Sequence, residues 1–185
     1  MIDDILLDAE DKMEKAIEVA RNDFSNIRSG RANAGMFNSI LVDYYGAPTP
    51  LQQLATVAIP EARTVTISPY DRSSIQAIDK ALRESDLGVN PTDDGQFLRI
   101  NLPPLTEERR GDYGKLARTK AEDARITIRS IRRKAKEELD RIKKDGEAGE
   151  DEVERAEKEL ESVTKRHTDL VDQILDAKEK DLLEV

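Results

Sequence analysis

Ala117-Arg-Thr-Lys-Ala-Glu-Asp-Ala-Arg-Ile-Thr-Ile-Arg-Ser-Ile-Arg-Arg-Lys-Ala-Lys-Glu-Glu-Leu-Asp-Arg-Ile142 is the stretch from which the architecture follows. Its apolar residues fall at Ala117, Ala121, Ala124, Ile128, Ile131, Ala135, Leu139 and Ile142. Steps of three and four residues are the mark of a helix with one buried face. Upstream, Thr106 is a suitable cap, and Glu107 and Glu108 suit the positive end of the helix dipole. The spacing therefore predicts a helix over 106–144. Gly111 and Gly114 lie in its early turns, and each costs about 1 kcal/mol relative to alanine, so an irregular start is expected.

One such helix cannot bury its own stripe, and two more segments carry the same period. Ile2, Leu6, Ala9, Met13, Ala16, Ala20, Phe24 and Ile27 predict a first helix over 2–28, stopped at Ser29-Gly30. Val153, Ala156, Leu160, Val163, His167, Leu170, Ile174 and Ala177 predict a third over 150–183. The short link Asp145-Gly-Glu-Ala-Gly149 makes the second and third helices antiparallel neighbours. Together they form an elongated three-helix bundle, with helices roughly 45–60 Å long at about 1.5 Å per residue.

Between Arg31 and Pro104 the pattern changes. Residues 39–45, 55–59, 64–68 and 97–102 are short runs rich in β-branched or aromatic side chains. Gly46-Ala-Pro-Thr-Pro50 separates the first two, and Ile75, Ile78 and Leu82 mark a short helix over 73–85. The fold class is α+β: a bundle of 1–30 and 105–185, interrupted by a small α+β domain of 31–104 resembling a β/α/β sandwich. The chain crosses between them twice, at Gly30-Arg31 and at Pro103-Pro104-Leu105. Two short crossings containing a glycine and a proline pair predict a hinge.

Composition removes several function classes. There is no cysteine among the 185 residues, so disulfides and thiolate metal sites are excluded. No apolar run approaches the roughly 18 residues of a membrane span, and the acidic start Met1-Ile-Asp-Asp4 is unlike a signal peptide. A cytoplasmic, membrane-free monomer is expected. No phosphate-cradling glycine motif and no calcium-loop spacing occurs, so no cofactor and no metal is predicted. His167, the only histidine, falls on an apolar seam and reads as a packed, hydrogen-bonded core residue. Asp71 and Asp86 read as turn or capping residues. Nothing here makes an enzyme.

The net charge is −9, yet Arg109–Lys136 carries eleven basic residues against three acidic, an excess of eight that leaves −17 on the rest. At about 100° per residue, Arg118, Arg125, Arg129, Arg132 and Lys136 share roughly 60° of arc, about 90° from the apolar seam. Arg133 lies farther around. Arginine's planar fork binds phosphate in bidentate fashion, and a stripe on a rigid helix suits structured RNA. The competing reading pairs these arginines within the molecule, with Asp8, Asp11 and Glu18 or with Glu157 and Glu161. In function, the competing class is a helical adaptor that binds another protein.

Arg28-Ser-Gly-Arg-Ala32, Tyr44-Tyr-Gly-Ala-Pro-Thr-Pro-Leu51, Ser85-Asp-Leu-Gly-Val-Asn-Pro91 and Leu102-Pro-Pro-Leu-Thr-Glu-Glu-Arg-Arg110 resemble, in order, signature stretches of the ribosome recycling factor family. The run Arg125, Arg129, Arg132, Arg133 is similar to its basic helix. The resemblance spans the whole chain; Gly111 and Gly114 depart from it. It implies an L-shaped, tRNA-like outline and a non-catalytic factor. Such a factor binds the large subunit of the post-termination ribosome and, with elongation factor G and GTP, separates the subunits. It further implies ribosomal RNA contacts at Arg129, Arg132 and Arg133, with Arg28 and Arg31 near the hinge.

Overall fold

The structure, a computed structural model, describes residues 1–184. Its elements are α1 (Ile2–Ser25), a 3-10 turn (Ala34–Phe37), β1 (Leu41–Tyr44), β2 (Ala47–Pro50), α2 (Leu51–Leu54), β3 (Ala55–Glu61) and β4 (Thr64–Pro69). A second 3-10 turn (Arg72–Ser74), α3 (Ile75–Arg83), β5 (Thr92–Asp93), β6 (Leu98–Asn101), α4 (Glu107–Lys144) and α5 (Glu150–Leu183) follow. The chain forms two compact units. One is Met1–Asp23 with Leu116–Glu179, and the other is Phe24–Lys115 with the chain from Lys180 onward. These limits lie inside the long helices, whereas the sequence reading sets them at 30/31 and 104/105. The last turn of α1, with Phe24 buried, and the first turns of α4 group with the β-rich chain.

The helical unit is held by the predicted face of α4. Ala117, Ala121, Ala124, Ile128, Ala135, Leu139 and Ile142 are all buried, and Ile131 is half-buried. On α1 the buried residues are Leu6, Ala9, Met13, Ile17 and Ala20. Ile17, not the expected Ala16, is the buried residue between Met13 and Ala20, at steps of four and three, and Ala16 is half-buried beside it. On α5 the face is buried at Val153, Ala156 and Leu160, then at Thr164, His167 and Val171. The expected Val163, Leu170 and Ile174 are only half-buried, and Ala177 is exposed. An apolar search passes over Thr164 because it is polar. Its hydroxyl donates to Leu160 O at 2.7 Å, so the methyl can pack. His167 is buried and its Nδ1 lies 2.7 Å from Val163 O, so it is the satisfied core residue the sequence predicts.

Glycine places the α4–α5 turn. Gly146 has φ +69, its N–H reaches Lys143 O at 3.2 Å, and Glu147 N–H reaches Ile142 O at 3.1 Å. These are the paired bonds of a Schellman stop, with glycine taking the left-handed position. At the other end Arg109 N–H donates to Thr106 Oγ1 at 3.1 Å, the predicted cap. The irregular start expected from Gly111 and Gly114 is absent: α4 is helical from Glu107 onward. The cap and the two acids of the first turn offset the glycines' cost.

The second unit holds a four-stranded antiparallel sheet, ordered β3-β4-β6-β5, and a separate β1-β2 hairpin. Val65 pairs with Ile100 and Ile67 with Leu98, and all four are buried. This is the alternation of a sheet with one wet face. Phe37, Val42, Leu51, Ile78 and Leu82 complete the core. The reading of 46–50 as a break is corrected by β2, in which Pro48 opposes Asp43 and Pro50 opposes Leu41. A two-stranded hairpin is all edge, and an edge strand tolerates proline. Asp71 caps the helical turn before α3, accepting from Ser73 N–H at 2.9 Å and Ser73 Oγ at 2.7 Å. Tyr44 Oη donates to its other oxygen at 3.2 Å.

Candidate nucleic-acid interface

On α4 the structure divides the arginine stripe in two. Arg118 Nη1 lies 3.6 Å from Glu179 Oε1, Arg125 Nη2 2.6 Å from Asp172 Oδ1, and Arg132 Nε 2.6 Å from Glu161 Oε1. As α4 advances by seven residues, then seven, the α5 partner recedes by seven, then eleven. This is the ladder two antiparallel helices make when charged residues flank a shared seam. Arg125 is the most buried rung. Its side chain is only 19% exposed, and Asp172 first and Glu122 second hold its guanidinium above the usual arginine range despite burial. Of the intramolecular acids the sequence suggested, Glu161 is used, while Asp8 and Asp11 pair locally with Lys12 and Lys15. Asp172 and Glu179 were not foreseen. The signal available was that acids on α5 complement arginines seven apart on α4.

The outer edge of the stripe is different. Arg129 is 58% exposed and only loosely paired, with Glu122 at 3.5 Å. Arg133 and Lys136 are exposed and have no ion-pair partner among the described residues. Arg132 lies between the two groups, its side chain 35% exposed even while bound to Glu161. The face that remains open to an anionic partner is therefore Arg129, Arg132, Arg133 and Lys136. Arg125 serves first as a clasp to α5, while Arg118, 56% exposed and 3.6 Å from Glu179, is held no more tightly than Arg129.

The residues near the crossings are brought together. Arg28 is buried, its Nη2 donates to the carbonyl of Pro103, and burial pushes its pKa down, with Arg109 adding to the effect. Arg28 thus ties the outgoing chain to the returning one and is withdrawn from solvent. Arg31 is exposed and lies 3.6 Å from Glu184. Ser29 Oγ donates to Arg31 O at 3.1 Å, and a Cβ at Gly30 would meet Glu184 O at 3.2 Å. Leu105 is buried, whereas Pro103 and Pro104 are exposed.

Among the described residues no His/Asp/Glu cluster could hold a metal ion, and no helix is long and apolar enough to cross a membrane. The fold and this face define a class: a helical-bundle protein, interrupted by an α+β unit, that presents one cationic helix edge. Comparison with known proteins narrows the class. The family model described as ribosome recycling factor matches residues 20–183. The ribosome-recycling factor of Kineococcus radiotolerans is 70% identical and that of Beutenbergia cavernae 68%, each over 185 residues and all of both chains. A solution structure of the ribosome recycling factor superposes with a TM-score of 0.81 at 38% identity, over 100% of this chain and 98% of that one. A second structure describes models of the T. thermophilus ribosome recycling factor and the E. coli elongation factor G bound to the E. coli post-termination complex. Its TM-score is 0.72 at 40% identity, covering all of both chains. The chain belongs to the ribosome recycling factor family.

Proposed function

We propose that this protein recycles ribosomes by binding large-subunit RNA through the outer edge of α4 and passing on a push supplied by elongation factor G and GTP. The carrying observation is the cationic edge of Arg129, Arg132, Arg133 and Lys136, of which Arg133 and Lys136 have no ion-pair partner among the described residues and Arg129 only a loose one, in a chain of net charge −9. Phosphate contacts of this kind anchor and orient a protein without reading sequence. Arg125 stiffens the edge from behind, and Arg118, loosely paired with Glu179, continues it toward the start of α4. Arg28 and Arg31 set the crossing, and Gly30, Arg31, Pro103, Pro104 and Leu105 form the hinge on which 31–104 swings against the bundle of 1–30 and 105–185. The factor works as a monomer in the cytoplasm and supplies no chemistry of its own. Binding alone cannot drive a cycle, so the GTPase is required.

Co-sedimentation with purified large subunits across a salt series tests the anchor. Neutralising about four phosphates, at a slope near −0.9 each, removes roughly two decades of affinity between about 50 and 200 mM salt. A complex that ignores salt would falsify a phosphate-led interface.

A further inference from the structure

The arc of α4 that carries the cationic edge also holds a carboxylate, Glu122. At about 100° per residue, Arg129 lies about 20° to one side of it and Arg133 about 20° to the other, with Arg118 and Lys136 at about 40° and Arg125 at about 60°. Asp123, the other acid between Arg118 and Lys136, is about 100° away and off the stripe. Glu122 spends both its oxygens on arginines: Oε2 lies 3.2 Å from Arg125 Nη1, and Oε1 lies 3.5 Å from Arg129 Nη1. Arg125 does not depend on it, because Asp172 Oδ1 already accepts from Arg125 Nε at 3.0 Å and from Nη2 at 2.6 Å. Asp172, Arg125, Glu122 and Arg129 therefore form a row of alternating charge that runs from α5 out to the open edge. Stability does not account for Glu122, since ion pairs this exposed contribute little. Affinity does not either, since a carboxylate among cations weakens the hold on any phosphate. What it supplies is direction. Through Glu122 and Arg125, the exposed Arg129 is linked to α5, and its guanidinium has fewer orientations open to it than that of an unpaired surface arginine.

We infer that Glu122 is a positioning residue of the RNA edge: it holds the Arg129 guanidinium where one phosphate of large-subunit RNA falls, and its charge lowers the affinity of the edge for every other polyanion. Specificity is a difference of affinities, and a group that repels the wrong partner raises it as a contact to the right one does. A folded RNA that presents its phosphate along the held direction of Arg129 meets a guanidinium already ordered. A flexible strand gains nothing from that order and meets the carboxylate wherever it lies along the stripe.

This inference rests on the RNA reading above, and one set of titrations separates the two. Wild type, Glu122→Gln, Glu122→Asp, Arg129→Ala and the double variant Glu122→Gln/Arg129→Ala are titrated against purified large subunits and against poly(U), an unstructured RNA. Removing the charge in Glu122→Gln should tighten poly(U) binding roughly two- to fivefold, the effect of one carboxylate about 5–8 Å from a phosphate in water. Large-subunit binding should not share that gain, so the ratio of the two affinities falls by at least about threefold. Glu122→Asp keeps the charge but is too short to reach Arg129. It should bind poly(U) no more tightly than the wild type, yet bind large subunits more weakly. In the Arg129→Ala background, Glu122→Gln should no longer change the ratio, because the carboxylate acts through that arginine. Equal tightening on both ligands in Glu122→Gln would overturn the inference, since Glu122 would then only subtract charge. So would a wild-type profile for Glu122→Gln or Glu122→Asp, or a change of ratio that survives Arg129→Ala. Melting curves should shift little, because Asp172 keeps Arg125; an early-melting Glu122→Gln whose binding loss follows its unfolded fraction would make Glu122 a structural residue and sink the proposal. A wild-type large-subunit complex that ignores salt would remove the RNA reading itself, and this inference with it.

Discussion

Arg132 is bound to Glu161 and yet lies on the edge proposed to meet RNA, so breaking that pair from each side distinguishes its two roles. In the free protein the pair is half-exposed, at 35% and 55% of the two side chains, with Nε at 2.6 Å from the carboxylate. Pairs of this exposure contribute about 0.2–1 kcal/mol. For a chain of this size that is a drop in Tm of at most about 2–4 °C. Arg132→Ala and Glu161→Ala should therefore destabilise to a similar, small extent, and the double variant should show a coupling of the same size. Binding should split them. Arg132→Ala loses a charge-assisted contact of roughly 1–3 kcal/mol, about five- to 150-fold in affinity. Arg132→Lys keeps the charge but loses the fork, and recovers only part. Glu161→Ala releases Arg132 from a competing carboxylate and removes a negative charge beside the incoming phosphate, so it should bind as well as the wild type or better. Thermal melts and large-subunit pelleting on these proteins decide the matter. If Arg132→Ala and Glu161→Ala both melt early and both pellet like the wild type, Arg132 is a second clasp beside Arg125 and has no part in RNA binding.

Two further outcomes are expected elsewhere in the molecule. Inserting flexible residues at both 30–31 and 103–105 should leave large-subunit binding nearly intact while subunit splitting with elongation factor G and GTP falls, because the anchor lies on α4 and the push passes through the crossings; equal loss of both activities would refute that division. Asp71 is held below the usual carboxylate range, first by the Ser73 hydroxyl and then by the Ser73 N–H. A depressed folded pKa gives stability that is present above the unfolded value, about 3.9, and lost as pH falls through the folded one. The stability gap between wild type and Asp71→Asn should then be constant above about pH 5 and shrink below about pH 4, as read from denaturation midpoints; a gap unchanged at lower pH would mean the carboxylate's charge is irrelevant to the cap.

The long helices were legible because their period is sustained over many turns, and a local error such as Ala16 for Ile17 does not disturb it. The shift on α5 from Val163 to Thr164 was not legible, since apolarity alone cannot see a threonine whose hydroxyl is satisfied by its own helix. Strand β2 was hidden by Pro48 and Pro50, which read as a break unless the strand is known to be an edge. At the site, the cationic stripe was plain from spacing. Its division into a clasp at Arg125 and a free edge at Arg133 and Lys136 was not, because that depends on the register of α5 against α4.

The helical unit draws on both ends of the chain, and this sets a timetable for its birth. α1 is made first, with Leu6, Met13 and Ile17 on its face. The side chains that cover them lie beyond Leu116 and extend to Glu179. At about 5–20 residues per second, the nascent helix waits roughly ten to thirty seconds before its last partner leaves the exit tunnel. The α4–α5 hairpin, closed by a tight glycine turn, needs no distant segment to zip up. α1 must instead be recruited across the whole intervening insert, so the slow step of maturation is the return of the N-terminus to a hairpin already waiting for it.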